Sequence, residues 1–405
     1  MPALGIDFGT SNTAAGFCDG ETPKLVPLEN GHDTLPTAVF LDFHARKTLY
    51  GRAAIQSMID GQEGRSMRAL KSILGTPLAR EKRQFLNERL TLIEVIARFL
   101  GEIRSRAEKH SGMTFNRAIS GRPVKFHSAS EERNGQALID LTTAYDLAGF
   151  SDVRFIPEPE AAAIAAQGEG CILIVDIGGG TSDFTICERV NGRTRIIVSN
   201  GIRLGGTNFD KDLSLAHVMP LLGYEAEIGN EMGPGAHTAP RALFHDLTSW
   251  EKIAFVYSAQ LLRDVRRWER LARDPKLFAR LGEVLEMHLG HDIAFAVEAG
   301  KISANTALEA VIDLRVVESG LSCALRANAL QTELQYGADA ISSCALQTVA
   351  LAELTKDQID RVVFVGGSSL LNVIQDDIAA AFPNAVLETS EVFTAVVDGL
   401  ALSAR

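Results

Sequence analysis

The apolar and polar positions of this chain fall into one layout that occurs twice. Near the start, LGIDFGTSNTAAGFCDG reads as an apolar strand, a turn of small residues with an acid and hydroxyls, a second strand, and then Asp19-Gly20. Asp-Gly between strand-like segments marks a hairpin, because both residues tolerate positive φ. Further on, ILIVDIGGGTSDFTICERVNG repeats strand, glycine turn and strand, closes on Asn191-Gly192 and leads into a third strand, RIIVS. Asp7 and Asp176 stand at corresponding places in the two turns.

Each half then continues through an apolar strand that runs into glycine, RAISGRPVKF (117–126) in the first and RVVFVGGSSLL (361–371) in the second. After the latter, LLNVIQDDIAAAF has a helical period, with Ser368 or Ser369 as its candidate cap. Alanine-rich helices, EPEAAAIAA (158–166) and FTAVVDGLALSA (393–404), end the halves. Residues 209–310 interrupt the second half with mostly helical sequence. Within them IGNEMGPGAHTAP (228–240) reads as an exposed, mobile loop. The pattern predicts a duplicated α/β chain with two lobes facing each other, 1–168 with 389–405 as lobe I and 169–388 as lobe II. Ligands of such folds bind where the lobes meet, at the C-terminal ends of strands.

Composition narrows the classes. At about 150 residues per domain, 405 residues suggest two or three domains. With 46% hydrophobic and 22% charged residues, disorder and collagen-like repeats are excluded. The apolar runs break far short of the roughly 20 residues that span a bilayer. The N-terminus has no basic region ahead of its first strand, so neither a membrane segment nor a signal peptide is expected. Forty basic against 51 acidic residues give a net charge of −11, which argues against nucleic acid as the partner. Five cysteines (Cys18, Cys171, Cys187, Cys323, Cys344) fall in no ligand spacing and read as reduced thiols of a cytoplasmic protein.

The chemistry lies in three glycine turns: Asp7-Phe8-Gly9-Thr10-Ser11-Asn12, Asp176-Ile177-Gly178-Gly179-Gly180-Thr181-Ser182-Asp183, and Gly366-Gly367-Ser368-Ser369. Glycine lets backbone N–H groups approach an anion, and hydroxyls add donors. A carboxylate opening a turn would repel bare phosphate. It makes sense where a divalent cation lies between, held through waters as Mg²⁺ usually is. Two such turns across a cleft suit a metal-bound di- or triphosphate. This is not the P-loop, because the one Gly-Lys pair, Gly300-Lys301, has Phe295 where the first glycine should be, and no GxGxxG stands between strand and helix.

Other features read blandly. RDVRRWERLAR (263–273) holds five arginines and is expected to be a solvated face with Leu262, Val265 and Trp268 on the buried side, rather than a phosphate patch. His288 and His291 read as exposed helix-end residues rather than metal ligands.

IDFGTSNT, VDIGGGTSD and FVGGSS resemble the two phosphate motifs and the adenosine motif of the actin-like ATPase superfamily, with its ribonuclease H-like duplicated fold. RALKSILG (68–75), EPEAAAIA (158–165), LGGTNFDKDL (204–213) and VEAGKIS (297–303) are similar to the ATPase domain of the seventy-kilodalton heat-shock chaperones of the DnaK type. The likeness runs colinearly over nearly the whole chain. Because the chain stops at Leu402-Ser403-Ala404-Arg405, it looks most like the truncated YegD-like members, without a peptide-binding domain.

The resemblance implies ATP or ADP and Mg²⁺ as ligands, and slow hydrolysis of ATP to ADP and phosphate. Asp7 and Asp176 would hold the metal through water. Gly9, Thr10, Ser11, Asn12 and Gly178 to Gly180 would cradle the β- and γ-phosphates, with Thr181 and Lys71 at the γ-phosphate. Glu158 and Asp183 would orient water, although Glu160 beside Glu158 is an equal candidate on the residues alone. Gly205 and Gly206 would help bind the nucleotide, Glu298 and Lys301 would meet the ribose, and Gly366, Gly367 and Ser368 the adenine. A protein client or co-chaperone would be the partner of such a nucleotide-gated switch. Two departures stand out: Leu370 and Ile302 occupy places where the chaperones carry arginine, implying a greasier grip on the base. An actin- or MreB-like filament ATPase and a sugar-kinase-type phosphotransferase are the competing classes. No amphipathic segment at the start favours the former, and no set of sugar-binding residues after GRPVKF favours the latter.

Overall fold

Apolar runs that alternate with glycine turns can only be satisfied by strands covered on both faces. In a computed structural model, which describes residues 2–20, 22–166, 168–389 and 394–404, they form two five-strand paths of the same order. The first contains β1 (Ala3–Phe8), β2 (Asn12–Asp19) and β3 (Thr22–Leu25), joined antiparallel. The capped helix α1 (Leu92–Ser111) then leads to β4 (Arg117–Arg122), and α2 (Glu131–Leu147) leads to β5 (Asp152–Pro157). β4 lies parallel to β1, and β5 parallel to β4. A short strand, Thr34–Pro36, adds to β2.

Helix α3 (Glu158–Ala165) follows β5 directly. The second path then repeats the plan with β6 (Gly170–Ile177), β7 (Ser182–Val190) and β8 (Arg193–Ile202) antiparallel. β9 (Arg361–Val365) runs parallel to β6, and α4 (Asn372–Ala381) returns the chain to β10 (Val386–Thr389) beside β9. The expected hairpin at Asn191-Gly192 is present, both residues at positive φ (53° and 72°). Helix α5 (Ala395–Leu402) completes the pattern; Phe393, read as its first residue, lies outside the described residues. Its alanines and glycine explain themselves: a Cβ on Gly399 would stand 1.7 Å from the Ala161 carbonyl oxygen, so α3 and α5 meet backbone to backbone. Around that contact Ile119, Ile156, Ile172, Ile174, Val363, Val365 and Leu400 form one core drawn from both sheets.

Two compact units divide the chain, 1–206 with 338–405, and 207–337. Both sheets belong to the first. The second unit contains the whole of the helical insertion, and within it Val265, Phe278 and Leu281 are fully buried. Helix Ala259–Leu271 carries the arginine-rich stretch, which is a solvated face: Arg266 pairs with Glu269 and Glu286, Arg267 with Glu231, and Arg273 with Glu227.

Three local expectations need correction. The 228–240 segment is exposed, but Glu227–Gly229 and Ala236–Thr238 pair in it as a small antiparallel hairpin. No serine caps α4: its N-cap is Leu371, because Gly367–Leu370 first form a 3₁₀ turn in which the Ser369 hydroxyl donates to the carbonyl of its N-cap, Gly366. His291 is buried near Trp250 rather than exposed, while His288 is exposed and stacks on Tyr257. Among the described residues, no helix is long and apolar enough to cross a membrane.

Candidate functional site

β1, β6 and β9 are inner strands of their sheets, and each ends at one of the three glycine turns. The first turn is braced from outside by Thr37, whose backbone N–H donates to the Ser11 carbonyl (2.9 Å) and whose hydroxyl donates to that of Gly9 (2.8 Å). The second closes on itself through Gly178 N–H to Thr181 O at 3.0 Å. The two turns touch. A Cβ on Gly179 would lie 2.4 Å from the Ser11 Oγ, and one on Gly180 would lie 2.9 Å from the Thr10 Oγ1. Only glycine lets the hydroxyls of one turn approach the backbone of the other.

Two further glycine segments close on the second turn. Gly206 N–H donates to Gly178 O at 3.0 Å, and a Cβ on Gly205 would meet Gly178 O and Gly180 N, each at 2.7 Å. Gly366, at a φ of 78°, would bring a Cβ to 2.4 Å from the Ile177 carbonyl oxygen and 2.8 Å from the Asp176 Oδ1. The residues Gly9 to Asn12, Gly178 to Thr181, Gly205, Gly206 and Gly366 therefore converge, and Gly367 and Ser368 follow on the 3₁₀ turn.

A cluster of charge lies beneath them. Asp7 on β1 is half-buried; Asp176 on β6 is buried and faces Asp183 of β7 in register. Glu158, first residue of α3, forms a buried ion pair with Lys71. Lys71 comes from a single 3₁₀ turn, Leu70–Ile73, and is 6% exposed, so it is no surface charge. Glu160 is elsewhere, accepting a hydrogen bond from the Ser199 hydroxyl at 2.9 Å. Of the two carboxylates in EPEAAAIA, only Glu158 thus belongs to the cluster.

Four carboxylates around one ammonium are unbalanced, and burial makes the imbalance costly. Burial, then Glu158, pushes the Asp7 carboxyl up to about 7, with Lys71 opposing. Burial and the neighbouring Glu158, Asp183 and Asp7 hold Asp176 well above the ordinary carboxylate range. Asp183 is pushed up to about 7 by burial and Glu158, despite accepting from the Val124 backbone N–H at 2.6 Å. For Lys71 burial lowers the value, but Glu158, Asp7 and Asp183 together outweigh it and hold the ammonium charged. Carboxyls kept from ionising by one another are what a divalent cation would relieve. Among the described residues, no three His, Cys, Asp or Glu side chains are arranged to ligate an ion directly. Asp7 and Asp176, with Asp183 opposite, are oxygen donors of the kind that hold a hydrated divalent cation through its waters.

Glu298 and Lys301 lie in the second unit on helix Gly290–Thr306, where Lys301 forms a buried pair with Asp210 at 2.6 Å. Leu370 and Ile302 are both exposed. Thr37, which braces the first turn, was missed by sequence reasoning, and so was Arg203, whose guanidinium donates to the Ser72 carbonyl beside Lys71. Thr37 carried no motif signal, and Arg203 stands one residue before the quoted LGGTNFDKDL without looking different from a surface arginine.

Comparison with known proteins agrees with this architecture. A family model described as "Hsp70 protein" matches residues 3–229. The "Chaperone protein DnaK" of Ureaplasma urealyticum is 31% identical over 214 residues, covering 51% of this chain and 33% of that relative. That of Metamycoplasma hominis is 29% identical over 217 residues, covering 52% of this chain and 34% of its own. The matched stretch is thus about a third of each relative's length. With two sheets of one topology, three converging glycine turns and a family match over more than half its length, the chain belongs to the Hsp70 family.

Proposed function

We propose that this chain is a Mg²⁺-dependent ATPase of slow turnover, acting as a nucleotide-gated conformational switch. The carrying observation is the contact between the Thr10-Ser11 turn and the Gly179-Gly180 turn, together with a buried Lys71–Glu158 pair whose charges act on Asp7 and Asp183. Backbone N–H groups of the glycine turns, with the hydroxyls of Thr10, Ser11 and Thr181, are donors for the β- and γ-phosphate oxygens. When bound, Mg²⁺ would offset phosphate charge and restore the ionised state of Asp7 and Asp176 through its waters. Lys71 faces charge that spreads over the γ-phosphoryl oxygens as the bond to the leaving oxygen weakens. Its pairing with Glu158 keeps the ammonium charged and aimed. Glu158 and Asp183 are the acceptors available to orient an attacking water. No covalent step is needed, so positioning and charge carry the rate.

The switch reading follows from the duplication. A γ-phosphate held jointly by a turn of each sheet links the two, and hydrolysis removes that link. A protein client or co-chaperone would read the change. Glu298 and Lys301 as ribose contacts, and Gly366 to Ser368 as the adenine border, complete the proposal. Aliphatic Leu370 and Ile302 imply weak discrimination between purine bases.

The test is binding and hydrolysis of labelled ATP by the purified chain, with Mg²⁺ and with a chelator. Mg²⁺-dependent formation of ADP supports the ATPase. Tight ATP binding without hydrolysis would reduce the proposal to a nucleotide sensor.

A further inference from the structure

Lys71 stands on an unusually short support. Its 3₁₀ turn has four residues and is entered through Ala69 in the left-handed region at a φ of 53°, which disfavours a residue with a Cβ. Three groups from outside hold it. Asp140 accepts from the Gly75 N–H at 2.9 Å, the His127 ring bonds the Leu74 carbonyl at 2.7 Å, and an Arg203 Nη donates to the Ser72 carbonyl at 2.6 Å. The other Nη of Arg203 meets His127 Nδ1. A guanidinium only donates, so Nδ1 is the acceptor and the ring proton resides on Nε2, donated to Leu74. The Arg203 backbone N–H donates to the Ser128 hydroxyl.

The residues after Arg203 are fixed to the opposite side of the site. The Leu204 carbonyl accepts from the Ser182 hydroxyl at 2.7 Å, and Gly206 N–H donates to Gly178 O at 3.0 Å. A chain of four residues, 203–206, thus touches the Lys71 turn at one end and the second glycine turn at the other. We propose that Arg203, with a neutral His127, is a positioning pair that couples the second glycine turn to the Lys71 turn and sets where the Lys71 ammonium stands. This rests on the ATPase reading of Lys71 given above.

Arginine suits the task because its planar fork reaches two separate acceptors at once, which a lysine ammonium on a flexible stem does not reproduce. The surroundings of His127 keep it neutral. Burial lowers its affinity for a second proton, and the charges of Arg203 and Arg133 lower it further, against the raising effect of the Leu74 carbonyl. Its backbone N–H is taken by the Asn134 side chain, and the nearby Asp140 is occupied by Arg80 and by Gly75. Acid strong enough to protonate Nδ1 would set two cations against each other and open the clasp.

Single-turnover hydrolysis and ATP affinity of Arg203→Ala, Arg203→Lys, Lys71→Ala and the Arg203→Ala/Lys71→Ala double variant test the proposal. Side-chain ¹⁵N spectra of the nucleotide-free protein accompany them. The expected result is a rate lowered about 10- to 100-fold in Arg203→Ala with affinity nearly unchanged, no further loss when Lys71 is already alanine, and little rescue by lysine. In the spectrum of the wild type His127 carries its proton on Nε2, and this preference is lost in Arg203→Ala. Should Arg203→Ala fold poorly, Arg203→Lys and the wild-type spectrum still decide. Equal losses from Arg203→Ala with and without Lys71, a full rate in Arg203→Lys, or a His127 proton on Nδ1 would each overturn the pair. No hydrolysis by the wild type would overturn the parent reading as well, whereas hydrolysis lost in Lys71→Ala but intact in Arg203→Ala would overturn this inference alone.

Discussion

The turn after β1 and the turn after β6 occupy the same place in two sheets of the same order, yet they are built from different chemistry. The first presents hydroxyls, Thr10 and Ser11, and is held from outside by Thr37. The second presents bare backbone, Gly178 to Gly180, and is backed by Gly205 and Gly206. Asp7 stands half-exposed with alanine as its strand partner, whereas Asp176 is buried opposite a second acid, Asp183. A duplicated fold supplies two equivalent strand ends. Their division of labour follows from space: once one turn projects hydroxyls, the facing turn has room only for glycine.

The largest way to break this comparison is to add atoms where the second turn has none. A Cβ on Gly205 would meet backbone of residues 178–180 that cannot rotate away, so Gly205→Ala should cost about 1–3 kcal/mol in stability and abolish tight nucleotide binding. Chemical denaturation and a nucleotide-binding titration read both effects. For Gly179→Ala the obstacle is the Ser11 hydroxyl. The double change Gly179→Ala/Ser11→Ala should therefore recover part of the affinity lost in Gly179→Ala, which Gly205→Ala paired with Ser11→Ala should not.

The charge cluster gives an intermediate effect with a definite sign. Asp7 and Asp183 ionise near 3.8 in ordinary surroundings and near 7 here. Between those values these two groups bind more protons in the folded protein than in the unfolded chain, so their contribution to stability is greatest below about 4 and falls as pH rises towards 7, where the penalty becomes complete. Melting temperatures of nucleotide-free protein should drop across that window, and Mg²⁺-nucleotide should reverse the drop. Calorimetric binding in two buffers of different ionisation enthalpy should register proton release near neutrality. Proton uptake would contradict the assignment.

The smallest effect belongs to the first turn. Ser11→Ala removes one hydroxyl and leaves the backbone intact, so it should weaken nucleotide binding by about 0.5–1.5 kcal/mol. Thr37→Val, which removes the brace on Gly9 but keeps shape, should act similarly at one remove.

How far the sequence alone reaches follows the same division. Both hairpins, the glycine turns and the alanine-rich helices are local, so Asn191-Gly192 or the run from Leu173 to Gly180 announces its own geometry. That the two sheets share one plan was legible only because the layout occurs twice. The charge cluster was less so. Lys71 and Glu158 are 87 residues apart and meet through the packing of α3 against the sheets, so composition around either cannot say that both are buried. The choice between Glu158 and Glu160 depends on which face of one short helix turns inward, and an eight-residue alanine-rich stretch carries almost no amphipathic signal to decide it. His291 was misread for a related reason, since a polar residue at a helix start looks exposed until Trp250 packs near it.

The central claim is that the two turns and the Lys71–Glu158 pair form one hydrolytic centre. Single-turnover hydrolysis of labelled ATP by wild type, Lys71→Ala and Asp176→Asn tests it most directly. The account predicts hydrolysis in the wild type and losses of about 10²–10³ in rate for Lys71→Ala, with Asp176→Asn also impaired and nucleotide still bound by both. Unchanged hydrolysis in Lys71→Ala would contradict it.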